Sequence, residues 1–281
     1  MTSGRPSTPR RCAVLGSPIA HSLSPAMHRA AYARLGLDWT YEARDVDADG
    51  LAGVLDGLDG SWRGLSLTMP LKRAAVPLCD VLSPTARRVG AVNTVLLTGD
   101  SRSGHNTDVP GFTAALAERG VRDVSSAVIL GAGATALSAA AALTDLGLQR
   151  LHLAVREPSR AAGTRGVVAG WGVHVSVGPL TPSVEPGLGP VGVLVSTVPA
   201  QAAAAFPEAL SRVPVVFDAV YDPWPTPLTV AAEAAGATVL TGLDLLASQA
   251  RLQVRAMTGL DVGVEDLRDA ALAELVRRRT G

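Results

Sequence analysis

The chain has 281 residues, 47% hydrophobic and 18% charged, a globular composition that excludes disorder for its bulk and leaves room for two domains. Its 25 basic and 25 acidic side chains cancel, so it has no cationic surplus to displace counterions from nucleic acid or to bind an anionic membrane. The expected partner is a small molecule. With only Cys12 and Cys79, no Asn-x-Ser/Thr site and no apolar run long enough to span a bilayer, the sequence predicts a cytoplasmic protein without a zinc framework.

Residues 1–11 carry Ser, Pro and Arg but no apolar stretch, which predicts a frayed tail rather than a signal peptide. Arg-Cys-Ala-Val-Leu-Gly at 11–16 reads as a short buried strand, and the helix after it is expected to open with Ser24 as N-cap and Pro25 at the first position. The alternation continues with a strand at 39–45, a helix at 49–55, a strand at 64–68, a helix from about 71 and a strand at 91–97. A second block starts near Val124 with the strand Ser-Ala-Val-Ile-Leu, turns at 131–136 and continues as an Ala-rich helix to about 146. Further strands are expected at 151–155, 191–196, 213–218 and 237–241, with Gly/Pro-rich surface joints at 178–190 and 222–227. Leu267, Ala271 and Leu275 recur at helical spacing, so the tail from Glu265 to Arg279 predicts an amphipathic helix. Strands alternating with helices imply an α/β fold with a largely parallel sheet. A division near residue 112 separates two blocks, and a deep cleft between two domains is the default ligand site.

Gly131-Ala132-Gly133-Ala134-Thr135-Ala136 follows an apolar strand and opens a helix, the setting in which a G-x-G-x-x-G/A pattern has physical meaning. The first glycine permits the tight turn, the second lets a pyrophosphate approach the backbone, and the small last residue allows close helix–strand packing. The N–H groups at the helix start then attract the phosphate. At the end of the next strand, an acidic residue would bond the ribose hydroxyl of NAD, and an arginine would accommodate the 2′-phosphate of NADP. The chain offers both, as Val155-Arg156-Glu157 with Arg160 one turn on.

Counting within the basic residues is more informative than their sum. Only one of them is lysine, Lys72, and only two asparagines occur, Asn93 and Asn106. Under a coding bias toward Arg and Ala, such exceptions stand where a substitute fails chemically. Arginine keeps its proton near neutral pH, whereas a lysine can be tuned to release it. In the first block, Gly16-Ser-Pro-Ile-Ala-His-Ser-Leu-Ser-Pro-Ala-Met-His28 sets the hydroxyls of Ser22 and Ser24 in a turn at a helix N-terminus, a cradle for a carboxylate. A hydrolase pair from His21 and Ser22 is rejected, since no G-x-S-x-G elbow surrounds them.

These segments, with Gly64-Leu-Ser-Leu-Thr-Met-Pro-Leu-Lys72, Gly90-Ala-Val-Asn-Thr94, Gly104-His-Asn-Thr-Asp-Val-Pro-Gly111, Phe217-Asp-Ala-Val-Tyr-Asp-Pro-Trp-Pro-Thr-Pro-Leu228 and Gly242-Leu-Asp-Leu-Leu-Ala-Ser-Gln-Ala250, resemble the shikimate dehydrogenases in the form seen in high-GC bacteria. They span residues 16–250, and the lone lysine and both asparagines fall inside them. The resemblance implies an N-terminal α/β substrate domain, 1–112 plus 244–281, and a Rossmann-like NADP-binding domain, 113–243. It implies NADPH-dependent reduction of 3-dehydroshikimate to shikimate on the route to aromatic amino acids, by a monomer or homodimer. Lys72 and Asp108 would be the catalytic pair. Ser22 and Ser24 would hold the substrate carboxylate, Thr68, Asn93 and Gln249 its ring hydroxyls or neighbouring groups, and Tyr221 would close the pocket. The cofactor would lie on Gly131, Ala132, Gly133, Ala134, Thr135, Arg156 and Arg160, with Ala219 and Gly242. His105 receives no role.

The sequence departs from the family pattern in four places. Ser66 stands where many members have Asn, Ala134 where a third Gly is usual, Leu245 where Met is frequent, and Val155 and Glu157 where Asn and Thr commonly flank the arginine. The last departure bears on cofactor choice, so an NAD-dependent quinate/shikimate dehydrogenase remains an alternative. A catalytically inactive, ligand-sensing homologue is the other, and the presence of both Lys72 and Asp108 argues against it.

Overall fold

The computed structural model describes residues 9–181, 190–204 and 213–280; the expected frayed tail up to residue 8 and most of the joint at 178–190 lie outside the described residues. The chain forms two compact units, Met1–Thr107 with Leu246–Gly281, and Asp108–Leu245. The first contains β1 (Arg10–Gly16), α1 (Ser24–Arg34), β2 (Trp39–Asp45), α2 (Leu51–Asp56), β3 (Trp62–Leu67), α3 (Leu71–Ala74), β4 (Val81–Leu82), α4 (Pro84–Val89), β5 (Thr94–Thr98) and β6 (Ser101–His105). Its sheet runs in the order β2-β1-β3-β5-β6-β4.

β1 is parallel to β2 and β3, whereas β5 is antiparallel to β3 and to β6. The sheet is therefore mixed rather than largely parallel. The cause is local: only residues 99 and 100 join β5 to β6, and so short a loop can close a hairpin but cannot hold a helical crossover. β6 itself was not legible in the sequence, because Ser-Arg-Ser-Gly-His has neither the alternation nor the β-branched content of a strand. Cys12, Ala13, Val14 and Leu15 of β1 are all buried, as befits a central strand covered on both faces, while the edge strand β2 alternates. Leu15, Leu51, Leu65, Leu71 and Val95 pack one core of this unit.

The second unit contains α5 (Asp108–Glu118), β7 (Ser126–Leu130), α6 (Ala134–Asp145), β8 (Arg150–Val155), α7 (Ala162–Ala169), β9 (His174–Pro179), β10 (Val193–Ser196), α8 (Ala200–Ala203), β11 (Val215–Asp218), α9 (Pro227–Ala234) and β12 (Thr238–Thr241). All its strand pairs are parallel, in the order β12-β11-β10-β7-β8-β9. The strand order reverses between β7 and β10, the topological switch point at which doubly wound sheets open a crevice for ligands. Residues 136–143 of α6 are buried throughout, and five of them are alanine, which lets the helix backbone approach the sheet closely.

α10 (Gly242–Thr258) leads the chain back into the first unit, and α11 (Val264–Thr280) buries Leu267, Ala271 and Leu275, the stripe expected from their spacing, together with Val264. α11 packs on α1, where the Arg278 guanidinium donates to the Ser22 carbonyl at 2.9 Å. Among the described residues no helix is long and apolar enough to cross a membrane.

Candidate active site

In the first unit the loops after β1 and β3 meet. The Thr68 amide donates to the Leu15 carbonyl at 2.9 Å, and the Ser17 amide donates to the Met69 carbonyl at 3.0 Å. Asn93 joins the same end of the sheet, its carbonyl accepting from the Leu67 amide at 2.8 Å, and the Lys72 carbonyl accepts from the Val92 amide at 2.7 Å. Lys72 is half-buried and lies in the single turn of α3, directly beyond Thr68. Ser22, Ser24, Thr68, Lys72 and Asn93 thus sit at one end of one sheet, in its loops or in the first residues of the helices that follow them.

Ser24 is not the cap of α1. Leu23 occupies that position, already in right-handed helical conformation, and Ser24 is the first helical residue. Ser22 Oγ accepts the Ser24 amide at 3.3 Å, and no side chain caps the helix. The Ser24 side chain is buried, at 5% exposure.

Asn93 forms a cluster with Thr107 and Gln249. Its Oδ1 accepts from the Thr107 amide at 2.8 Å and the Thr94 hydroxyl at 2.9 Å, and its Nδ2 donates to Thr107 Oγ1 at 2.9 Å. Nδ2 also faces Gln249 Oε1 at 3.5 Å. The other end of Gln249 is held by its own helix, Nε2 donating to the Leu246 carbonyl at 3.0 Å. The cluster therefore sets an amide donor beside an amide acceptor, a pattern suited to neighbouring hydroxyls. Asp108, 4% exposed, follows Thr107 directly and opens α5 as the first residue of the second unit.

Within the second unit, Gly131, Ala132, Gly133, Val155, Arg156, Glu157, Arg160 and Val198 line an open pocket of about 770 Å³. These residues follow β7, β8 and β10, so the pocket lies at the switch point. Gly131 has φ of +107°, a left-handed conformation that favours glycine. A Cβ on Gly133 would meet nothing within 4 Å; the space beside it is free for a ligand to reach the backbone. No side chain caps the start of α6, so its first N–H groups are available to a phosphate. The residues present fit a dinucleotide.

Beyond β8, Arg160 Nε lies 3.1 Å from Glu157 Oε2, and Ser159 donates to the other carboxylate oxygen at 3.2 Å. Glu157 is thus exposed and also paired, and the exposed Arg156 stands beside that ion pair.

Residues 14–95 match the family model described as the shikimate dehydrogenase substrate binding domain. A shikimate dehydrogenase (NADP(+)) of Thermus thermophilus is 40% identical over 274 residues, covering 93% of this chain and 97% of the relative. The chain belongs to the shikimate dehydrogenase family. Among solved structures of that family, the Mycobacterium tuberculosis enzyme superposes with a TM-score of 0.85 at 38% identity, covering 94% of this chain and all of that one. A Thermus thermophilus enzyme in complex with NADP(H) and shikimate gives 0.81 at 37% identity, covering 94% and 99%.

The shikimate dehydrogenase motifs fall in both units. Tyr221, half-buried, follows β11 in the loop that begins with Ala219, and Gly242 opens α10. Gly242 has a structural need of its own, since a Cβ there would strike the Ala219 carbonyl oxygen. Gly242→Ala is therefore expected to destabilise the fold by about 1–3 kcal/mol, the usual result of overpacking, as a lowered midpoint in urea whether or not nucleotide is present. The start of the same helix is tied by Asp244, whose carboxylate accepts from the Thr241 amide at 2.8 Å and hydroxyl at 2.9 Å. Thr107, Thr94 and Gln253 belong to the Asn93 surroundings but were not singled out in the sequence; the one available signal was the spacing of Gln253 one helical turn beyond Gln249.

Proposed function

We propose that the protein catalyses the reversible, NADP-dependent reduction of 3-dehydroshikimate to shikimate in aromatic amino acid biosynthesis. The observation that carries this reading is likeness to an NADP-dependent shikimate dehydrogenase along 93% of the chain, with Lys72 as the single lysine in 281 residues. In this reading the unit of Met1–Thr107 with Leu246–Gly281 holds the substrate, and Asp108–Leu245 holds the cofactor. A cytoplasmic setting is supported by Cys12 and Cys79, both unpaired.

Bound NADPH supplies the hydride that reduces the ketone. Gly131, Ala132, Gly133, Ala134 and Thr135 would hold its pyrophosphate, Arg156 and Arg160 its 2′-phosphate, and Ala219 and Gly242 line the remainder. Lys72 donates a proton to the substrate oxygen as negative charge develops there, and takes it back in the oxidative direction. Asp108 is the second member of the catalytic pair in this reading. Ser22 and Ser24 donate hydroxyl hydrogen bonds to the substrate carboxylate, aided by the positive N-terminus of α1. Thr68, Asn93 Nδ2 and Gln249 Oε1 engage ring hydroxyls, and Tyr221 is a further substrate residue in this reading.

The test is a steady-state comparison of shikimate and quinate, each with NADP and NAD. The highest kcat/KM is expected for shikimate with NADP. A higher value for quinate with NAD would move the protein to the catabolic reading, and no turnover with any pair would make it a ligand-sensing homologue. Removing either serine hydroxyl, as Ser22→Ala or Ser24→Ala, is expected to raise the shikimate KM by the equivalent of about 1.5–3 kcal/mol, the scale of a hydrogen bond to a charged group. NADP affinity should stay unchanged; equal loss of both would assign these hydroxyls to the loop rather than to the substrate.

A further inference from the structure

Asn93, Gln249 and Gln253 each end in a carboxamide, whose oxygen and nitrogen offer opposite chemistry to a substrate. Backbone groups with only one possible role decide which end is which. The Thr107 N–H can only donate, and it meets Asn93 Oδ1 at 2.8 Å. The Asn93 carbonyl can only accept, and Gln253 Nε2 meets it at 3.2 Å. The remaining links follow in order. Gln253 Nε2 also donates to Thr94 Oγ1 at 3.0 Å, and the Thr94 proton goes to Asn93 Oδ1 at 2.9 Å. Gln253 Oε1 is left as an acceptor, taking the Ser66 hydroxyl at 2.8 Å and His28 Nε2–H at 3.3 Å. Ser66 in turn accepts from the Tyr41 hydroxyl at 2.6 Å.

His28 therefore carries a proton on Nε2, with Nδ1 facing the Tyr32 hydroxyl at 3.4 Å. Full burial favours the neutral ring and pushes its pKa down to about 4, against the opposing pull of the bond to Gln253. The ring stacks on Tyr41 at 4.0 Å between centroids. Tyr41, His28, Ser66 and Gln253 are all buried. Together they form a one-directional chain from β2 through β3, α10 and β5 to Asn93, with a branch to α1.

All of these elements except β2 carry or directly adjoin a residue assigned to the substrate. Ser24 lies one turn before His28 on α1, Thr68 two residues after Ser66, and Gln249 one turn before Gln253 on α10. Apolar side chains of similar size would fill the same volume without the cost of desolvating polar groups; what they would not supply is orientation. We propose that Gln253, keyed by His28 and Ser66, is a positioning residue of the reaction: it holds the Asn93 carboxamide with its nitrogen toward the substrate and ties α1, β3, β5 and α10 into one register. This rests on the functional reading above, and Gln253 itself touches no substrate in it.

The test uses the full-length protein in shikimate–NADP steady-state kinetics, with shikimate affinity measured separately by calorimetry. Ser66→Ala removes one donor to Gln253 and is expected to raise the shikimate KM and Kd about fivefold, the effect of one hydrogen bond, with NADP KM held within about twofold. Gln253→Glu, whose carboxyl offers at most one proton where the amide serves both the Asn93 carbonyl and Thr94 Oγ1, should raise them further. Ser66→Thr keeps the hydroxyl and should restore wild-type values. Folded Ser66→Ala and Gln253→Glu proteins with unchanged shikimate KM and Kd would overturn the proposal. So would a joint rise in the KM for shikimate and NADP, the mark of general loosening. A wild-type protein that does not reduce NADP with shikimate would instead overturn the functional reading, and the positioning role with it.

Discussion

Lys72→Ala is expected to lower the shikimate-dependent kcat by roughly 10²-fold or more, the ordinary range for loss of a general acid–base, with a smaller change in KM. The split matters because a group that acts only as charge develops on the substrate oxygen affects the transition state more than the bound ground state. Lys72→Arg separates charge from proton transfer. Arginine preserves the cation and much of the reach from α3, but it does not give up its proton near neutral pH. The arginine variant should therefore remain as slow as the alanine one, measured as initial rate of nicotinamide reduction at saturating shikimate. Near-wild-type kcat in Lys72→Arg would mean that the ammonium acts only as a fixed charge. The chain's other cationic side chains are all arginine, so no nearby lysine can mask the result.

The sequence revealed the parts of the molecule whose physics is local or doubly buried. Ser126–Leu130 is apolar along almost its whole length because both faces of a central parallel strand are covered, and the glycine turn after it is tied to a backbone conformation few other residues adopt. Lys72 and Asn93 stood out because the chain otherwise avoids lysine and asparagine. What stayed hidden depends on tertiary partners. Ser101–His105 becomes a strand only because Thr94–Thr98 is there to pair with it. Ser24 is the first residue of α1 and Leu23 its cap, a shift of one residue that the local Ser-Pro pattern does not mark. Tyr41, His28 and Gln253 lie far apart in sequence, and nothing in their local pattern reveals that their polar atoms are buried against one another. Ser66 illustrates the limit well: it was visible as a departure from the family pattern, but its function as a link between Tyr41 and Gln253 required the fold.

Arg156→Ala is expected to weaken NADP binding by about 1.5–3 kcal/mol, the range for hydrogen bonds to a charged group, while leaving NAD nearly unaffected. The ion pair beyond β8 sharpens the argument. Glu157 lies beside Arg160 at 3.1 Å, so the carboxylate that would repel a 2′-phosphate, or accept the ribose hydroxyls of NAD, is already engaged by a cation. Arg156 is exposed and lines the pocket with Gly131, Ala132 and Gly133, and in the proposed reading its guanidinium makes a bidentate contact with the phosphate. Both partners of the Arg160–Glu157 pair are largely solvated, at 80% and 60% side-chain exposure. Breaking such a pair costs about 0–1 kcal/mol, so Arg160 can exchange Glu157 for phosphate at little expense. Glu157→Thr removes the competing carboxylate and frees Arg160, and should tighten NADP a few-fold, by about 1 kcal/mol at most. Fluorescence titration of both nucleotides against the three proteins checks the set. A wild-type enzyme with higher kcat/KM for NAD than for NADP would show that Glu157 serves the ribose instead, and would shift the reading toward the quinate/shikimate alternative.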